Sequence, residues 1–251
     1  MSGVRRFAAL CLAIAGWIAL PASALAEELV TFDGAAGRGA PLQGYLTKPK
    51  GGGPFPAVVL LHSCLGLPSN RQTIGETFAG WGFVALFVDD FTTRGLKETC
   101  SREFGEAVPD AVAGLAYLAR LPYVDAKRVA VVGYSQGGDT ALQLASGRYD
   151  FMAAIAVYPP CANQANAALQ IPTLILIGRL DEVTPAADCE ALARAQQNAK
   201  LVVFPGASHL FDDPSVSGGK RVSGMWLKYD ADAAAKARAE MRAFLAAKLG
   251  G

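Results

Sequence analysis

The chain has only two histidines, His62 and His209, among 251 residues. Any imidazole chemistry must use one of them, and two are too few for a multi-histidine metal centre. No metal and no cofactor are therefore expected. Charge is scarce as well: Asp, Glu, Lys and Arg make up 18% of the sequence, and 23 basic against 22 acidic residues leave a formal charge of +1. There is no long basic run, so nucleic acid is not an expected partner. With so little charge and a hydrophobic fraction of 52%, disorder is excluded as the main state. The length suits one sizeable core, as in a single large α/β domain.

A membrane-spanning stretch is also lacking at the N-terminus, where one might look for it. The apolar run from Phe7 to Leu20 is shorter than the roughly 20 residues that cross a bilayer. It follows Arg5 and Arg6 and precedes Ala24-Leu25-Ala26, the three regions of a secretory signal. The reading is a signal peptide over residues 1–26 and a single domain over 27–251, exported to the periplasm or medium and without a membrane anchor after cleavage. Cleavage removes two arginines and no acid, which takes the formal charge from +1 to −1. It also removes Cys11 and leaves Cys64, Cys100, Cys161 and Cys189. An even set in an exported chain permits disulfides, in any of three pairings.

Past a short N-terminal strand region, strands and helices alternate. Phe55–His62 is a continuous apolar run, the pattern of a strand buried on both faces. Further strands are expected at Gly82–Asp89, Arg128–Tyr134, Phe151–Tyr158, Thr173–Ile177 and Lys200–Phe204. Helices are expected at Gln72–Trp81, Pro109–Leu121, Gly137–Ser146, Ala186–Gln197 and Ala231–Leu249. Repeated βα units imply a mostly parallel sheet with helices on both faces.

Between an apolar strand and an Ala/Leu-rich helix stands Gly133-Tyr134-Ser135-Gln136-Gly137. A bare G-x-S-x-G is common, but a strand before it and a helix after it are what a nucleophile elbow requires. Such a turn lifts the serine oxygen clear of the sheet and aims the helix N-terminus, with the Gln136 amide, at developing negative charge. A serine hydroxyl needs an adjacent base. In this architecture the partners follow in the order serine, acid, histidine, so His209 is the base and His62 a buried residue shaping the turn after its strand. Asp181, just past the strand Thr173–Ile177, is the acid that orients the imidazole, with Glu182 its rival. The second oxyanion donor is expected from Ser63-Cys64-Leu65-Gly66, as the amide of Cys64 or Leu65.

Taken together, the elbow, Gly178-x-x-Asp181-x-x-x-Pro185 and Gly206-x-x-His209-x-Phe211 resemble the dienelactone hydrolase family of α/β-hydrolases, over nearly the whole mature chain. Two departures stand out. Dienelactone hydrolases proper use a cysteine nucleophile where this chain has Ser135, and carry a glutamate where it has Ser63. The resemblance therefore implies a serine carboxylesterase on an α/β-hydrolase fold, acting on a small-molecule ester or lactone. The same triad would serve a lactonase or a peptidase. A non-catalytic binding role is the reading from another class, and the filled triad speaks against it.

Only Pro159–Pro172 separates the strands between which many α/β-hydrolases insert a cap, so no cap and an open site are expected. Cys161 and Cys189 both lie just past strands at one edge of the sheet, where a bridge between them would tie two loops; Cys64 and Cys100 then pair by elimination. Arg94 follows a strand and is a candidate for binding a substrate carboxylate, against a plain salt bridge to Asp89 or Asp90. Trp226, with Lys220 and Arg221, is a candidate for the rim of the site.

Overall fold

The computed structural model describes residues 25–34, 41–101, 105–222 and 224–250. Apart from Leu25 and Ala26, the expected signal peptide lies outside the described residues. No helix among them is long and apolar enough to cross a membrane.

Among the described residues, ten strands and five helices follow in chain order: β1 (Glu27–Phe32), β2 (Leu42–Thr47), β3 (Phe55–Leu61), α1 (Arg71–Gly80), β4 (Val84–Asp89), α2 (Ala107–Ala119), β5 (Val124–Tyr134), α3 (Gln136–Ser146), β6 (Ala153–Val157), β7 (Thr173–Gly178), α4 (Ala186–Arg194), β8 (Ala199–Phe204), β9 (Lys220–Val222), β10 (Met225–Leu227) and α5 (Ala231–Leu249). Eight strands form one sheet in the order β1-β2-β4-β3-β5-β6-β7-β8. The two pairings that involve β2 are antiparallel and all the others are parallel. This is the α/β-hydrolase architecture expected from the alternation of patterns.

The central strands show why. Every residue of β4, β6 and β7 is buried, so their apolar runs are covered by helices on both faces. Leu60, Leu86, Leu142, Ile155 and Leu174 are among the largest fully buried side chains, each worth about 1.5–3 kcal/mol of transfer free energy. Helix α5 starts where the Asp230 carboxylate accepts the Ala233 amide, a side-chain cap for an orphan N–H.

Parallel strands place all their C-terminal ends on one edge, where open α/β sheets carry their sites. Here that edge gathers His62 after β3, Asp90 after β4, Ser135 after β5, Tyr158 after β6, Asp181 after β7 and His209 after β8. Two disulfides tie its loops, Cys64–Cys100 and Cys161–Cys189. Between β6 and β7 the chain makes only a short 3-10 turn at Cys161–Gln164, and no cap domain is inserted there.

Candidate active site

Ser135 occupies the turn between β5 and α3 with φ 55° and ψ −112°, a left-handed backbone that L-residues seldom adopt. The turn is possible because its glycines leave room. A Cβ on Gly133 would come within 1.8 Å of the Gly137 carbonyl oxygen, and one on Gly137 within 2.5 Å of the Leu61 carbonyl oxygen. With the chain folded this tightly, the Ser135 hydroxyl stands at the head of α3.

His209 reaches it from the loop after β8. Its Nε2 lies 3.1 Å from Ser135 Oγ, and its Nδ1 lies 2.8 Å from Asp181 Oδ2. A carboxylate accepts, so Nδ1 carries the hydrogen and Nε2 is left to accept the serine proton. All three residues are buried, each at most 8% exposed, which keeps water from competing for these bonds. Asp181 is itself held in place. Its Oδ1 accepts the amides of Val183 and Thr184 at 2.9 and 2.8 Å, and the Thr184 hydroxyl is 3.0 Å from Oδ2. Glu182, the alternative acid, is turned outward, its Oε2 accepting the Trp226 amide at 2.9 Å.

Two residues beyond the sequence reading complete this wall. Tyr158 lays its ring 4.7 Å from the His209 imidazole, centroid to centroid, and its hydroxyl donates to Asp212 Oδ1 at 2.8 Å. Burial pushes the Asp212 carboxyl up to about 6, although the Tyr158 hydroxyl draws it the other way. Tyr158 follows an apolar strand and reads as its last residue, so nothing in the local pattern marks it. Thr184, three residues past Asp181, carries the spacing of a turn that closes on its own aspartate.

At the facing side, Gln136 opens α3, where the first-turn amides have no intrahelical partner. Across from it runs the loop after β3. There the Leu65 amide, one of the two candidates, is engaged by Ser63 Oγ at 3.2 Å. Thr99 links both sides: its N–H donates to the Cys64 carbonyl at 2.8 Å, and its hydroxyl donates to Gln136 Oε1 at 2.8 Å. A cleft of about 750 Å³ opens beside Ser135, bounded by Gln136, Thr184, Asn163 and the Cys64–Cys100 bridge.

The remaining candidates fall elsewhere. Both terminal nitrogens of Arg94 engage the Asp110 carboxylate, at 2.7 and 3.0 Å, and one also reaches the Asp90 carbonyl. Its fork is thus taken up by Asp110, not by the nearer Asp89 or Asp90 carboxylates, and Arg94 is not among the side chains bounding the cleft. Burial raises Asp110 to about 6 in spite of that arginine. Trp226 sits on β10 with the Arg221 guanidinium over its ring at 5.8 Å, so these two form an outer ledge beside Glu182.

Residues 42–249 match the model of the dienelactone hydrolase family. The chain belongs to that family. It is 32% identical to Cutinase 2 of Thermobifida cellulosilytica over 161 residues, which cover 64% of this chain and 60% of that one. A second relative, Cutinase cut1 of Thermobifida fusca, is 32% identical over 64% of this chain and 49% of its own length. The chain thus spans about half to three-fifths of the length of these relatives. Among solved structures, the dienelactone hydrolase from Anabaena variabilis superposes with a TM-score of 0.67 at 21% identity, covering 90% of this chain and 99% of its own. At that identity the likeness speaks for the fold alone.

Proposed function

We propose that this protein is a serine hydrolase of carboxylic esters. The observation that carries the proposal is the unbroken line of contacts from Ser135 Oγ to His209 to Asp181, at 3.1 and 2.8 Å. Ser135 attacks the ester carbonyl while His209 Nε2 takes its proton. Asp181 holds the tautomer and faces the imidazolium that forms. The amides of Gln136 and Cys64 receive the oxyanion. His209 then returns the proton to the leaving alcohol, and a water activated by the same imidazole releases the acyl enzyme. Family membership and the cutinases among its relatives favour esters over peptides as substrates.

The test pairs a fluorophosphonate probe with turnover of short-chain p-nitrophenyl esters, in the wild type and in Ser135→Ala. Labelling of the wild type alone is expected, with turnover falling on the order of 10⁴-fold or more in the variant. A wild type that neither labels nor turns over would remove the proposal, and labelling that survives in Ser135→Ala would move the nucleophile elsewhere.

The second part of the reading is export. Two disulfides suit an oxidising compartment, and residues 1–26 have the pattern of a cleaved signal. The intact mass of the chain recovered from outside the cytoplasm is expected to begin at Glu27. Recovery of full-length chain from the cytoplasm alone would refute it.

A further inference from the structure

His62 is the histidine the hydrolytic steps leave unused, and it is buried at 6% exposure at the end of β3. Both of its nitrogens face acceptors. Nδ1 lies 2.8 Å from the Ser63 carbonyl oxygen, which can only accept. Nε2 lies 2.7 Å from Asp90 Oδ1. That contact is charge against charge more than an aligned hydrogen bond, since neither atom has a well-directed partner. With its one N–H on Nδ1, a neutral imidazole would set a bare Nε2 lone pair 2.7 Å from a carboxylate oxygen, so this contact calls for the imidazolium. Burial works against the charge, but the Asp90 carboxylate, the Ser63 carbonyl and Asp89 together hold the His62 pKa above the usual histidine value. The Phe91 ring packs edge-on against the imidazole at 4.4 Å.

The Ser63 carbonyl belongs to the same peptide plane as the Cys64 N–H. In a trans peptide the two point in opposite directions, so whatever fixes the carbonyl also aims the amide. The Ser63 carbonyl is fixed twice, by His62 and by the Gly66 N–H at 3.0 Å. The next carbonyl, that of Cys64, is held by Thr99 from the other side. We infer that the buried His62–Asp90 pair is a positioning dyad for the oxyanion hole, which orients the Ser63–Cys64 peptide so that the Cys64 amide meets the developing oxyanion. This rests on the ester-hydrolase reading and deepens it. The protein would then use two Asp–His pairs, one to activate the nucleophile and one to set the amide that receives its charge. A buried ion pair is a poor source of net stability, but it is well suited to holding one orientation.

The experiment has a wild-type arm and a variant arm. In the wild type, the imidazole ¹⁵N resonances at pH 7.5 are read by NMR; with two histidines in the chain, His62→Gln assigns them. Both His62 nitrogens are expected to be protonated, and a neutral ring overturns the inference whether or not any variant folds. In the variant arm, His62→Gln and Asp90→Asn are compared with wild type on p-nitrophenyl acetate. Losing an oxyanion donor outright costs about 10²–10³ in kcat, and misaiming one is expected to cost about 10–100-fold. KM should stay within about 2-fold, because the hole is used in the transition state. Affinity for a phenylboronate, a tetrahedral mimic, should fall in step with kcat. Folded variants with wild-type kcat overturn the dyad while leaving the hydrolase intact, whereas an inactive wild type removes the hydrolase reading itself.

Discussion

Thr184 shows how much of the catalytic geometry rests on a single hydroxyl. Its Oγ1 lies 3.0 Å from Asp181 Oδ2, nearer than the 3.3 Å to the Tyr158 carbonyl, so its one hydrogen goes to the acid. With the hydroxyl gone, Asp181 keeps two backbone amides and His209 but loses a bond on the oxygen that faces the imidazole. A hydrogen bond to a charged group is worth about 1.5–3 kcal/mol, only part of it felt when the imidazolium forms. Thr184→Val, nearly isosteric, is therefore expected to lower kcat about 10-fold with KM little changed, read from steady-state kinetics on a short-chain ester. Unchanged kcat would show that the two amides alone suffice. The cost of Asp212 is of another kind. Its carboxyl is raised by burial, and its bond to Tyr158 keeps in place the ring that His209 lies against.

The elements that bury themselves were legible in the sequence, and those that do not were missed. Strands β3, β4, β6 and β7 are built on continuous apolar runs, broken only at their ends by Asp89 and Thr173, and the pattern alone locates them. Strand β5 begins at Val124, before the expected Arg128, although Asp125, Ala126 and Lys127 are not buried. Pairing of Val124 with Phe55 on β3 extends it, with a register irregularity before Ala57. That is a backbone contact, which polarity does not reveal. The hairpin β9–β10 has three-residue strands and every residue of β9 exposed, so it offers no alternation to read. Helix α4 stops at Arg194, short of the expected Gln197, in a turn closed by the Gln196 amide on the Ala193 carbonyl. At the site, Ser135, Asp181 and His209 could be ranked because chain order and two histidines left few choices. For Arg94 the sequence offers Asp89 and Asp90 just before it, while the fold brings it Asp110 from α2. The pairing of His62 with Asp90 is invisible for the same reason: it depends on β3 and β4 lying side by side.

Three ionisable groups in the interior lean one way. Asp110 and Asp212 are each raised to about 6, chiefly by burial, and His62 is raised by its carboxylate neighbours against the pull of burial. In each case the folded chain holds its proton more tightly than the unfolded chain does. The stabilisation is complete below the unfolded pKa, about 4 for the aspartates and about 6.5 for the histidine. It is lost as pH rises through the folded value. Calorimetry in matched ionic strength is expected to give a Tm a few degrees higher at pH 5.5 than at pH 8. A Tm that rises over that interval would contradict the assignment. The lowered carboxyls, Asp125 and Glu190, are half-buried at the surface, each beside an arginine, and their contribution fades only in more acid solution.

Under the ester-hydrolase proposal, the short β6–β7 connection, which inserts no cap domain, has a consequence for what the protein can discriminate. A roofed site must swallow its substrate and so measures the whole of it. Here only the few atoms flanking one ester bond need to descend to Ser135, while the remainder trails in solvent. Selectivity is then local, read from the bond's immediate neighbours and indifferent to what hangs beyond them. Molecular size ceases to be a criterion of entry.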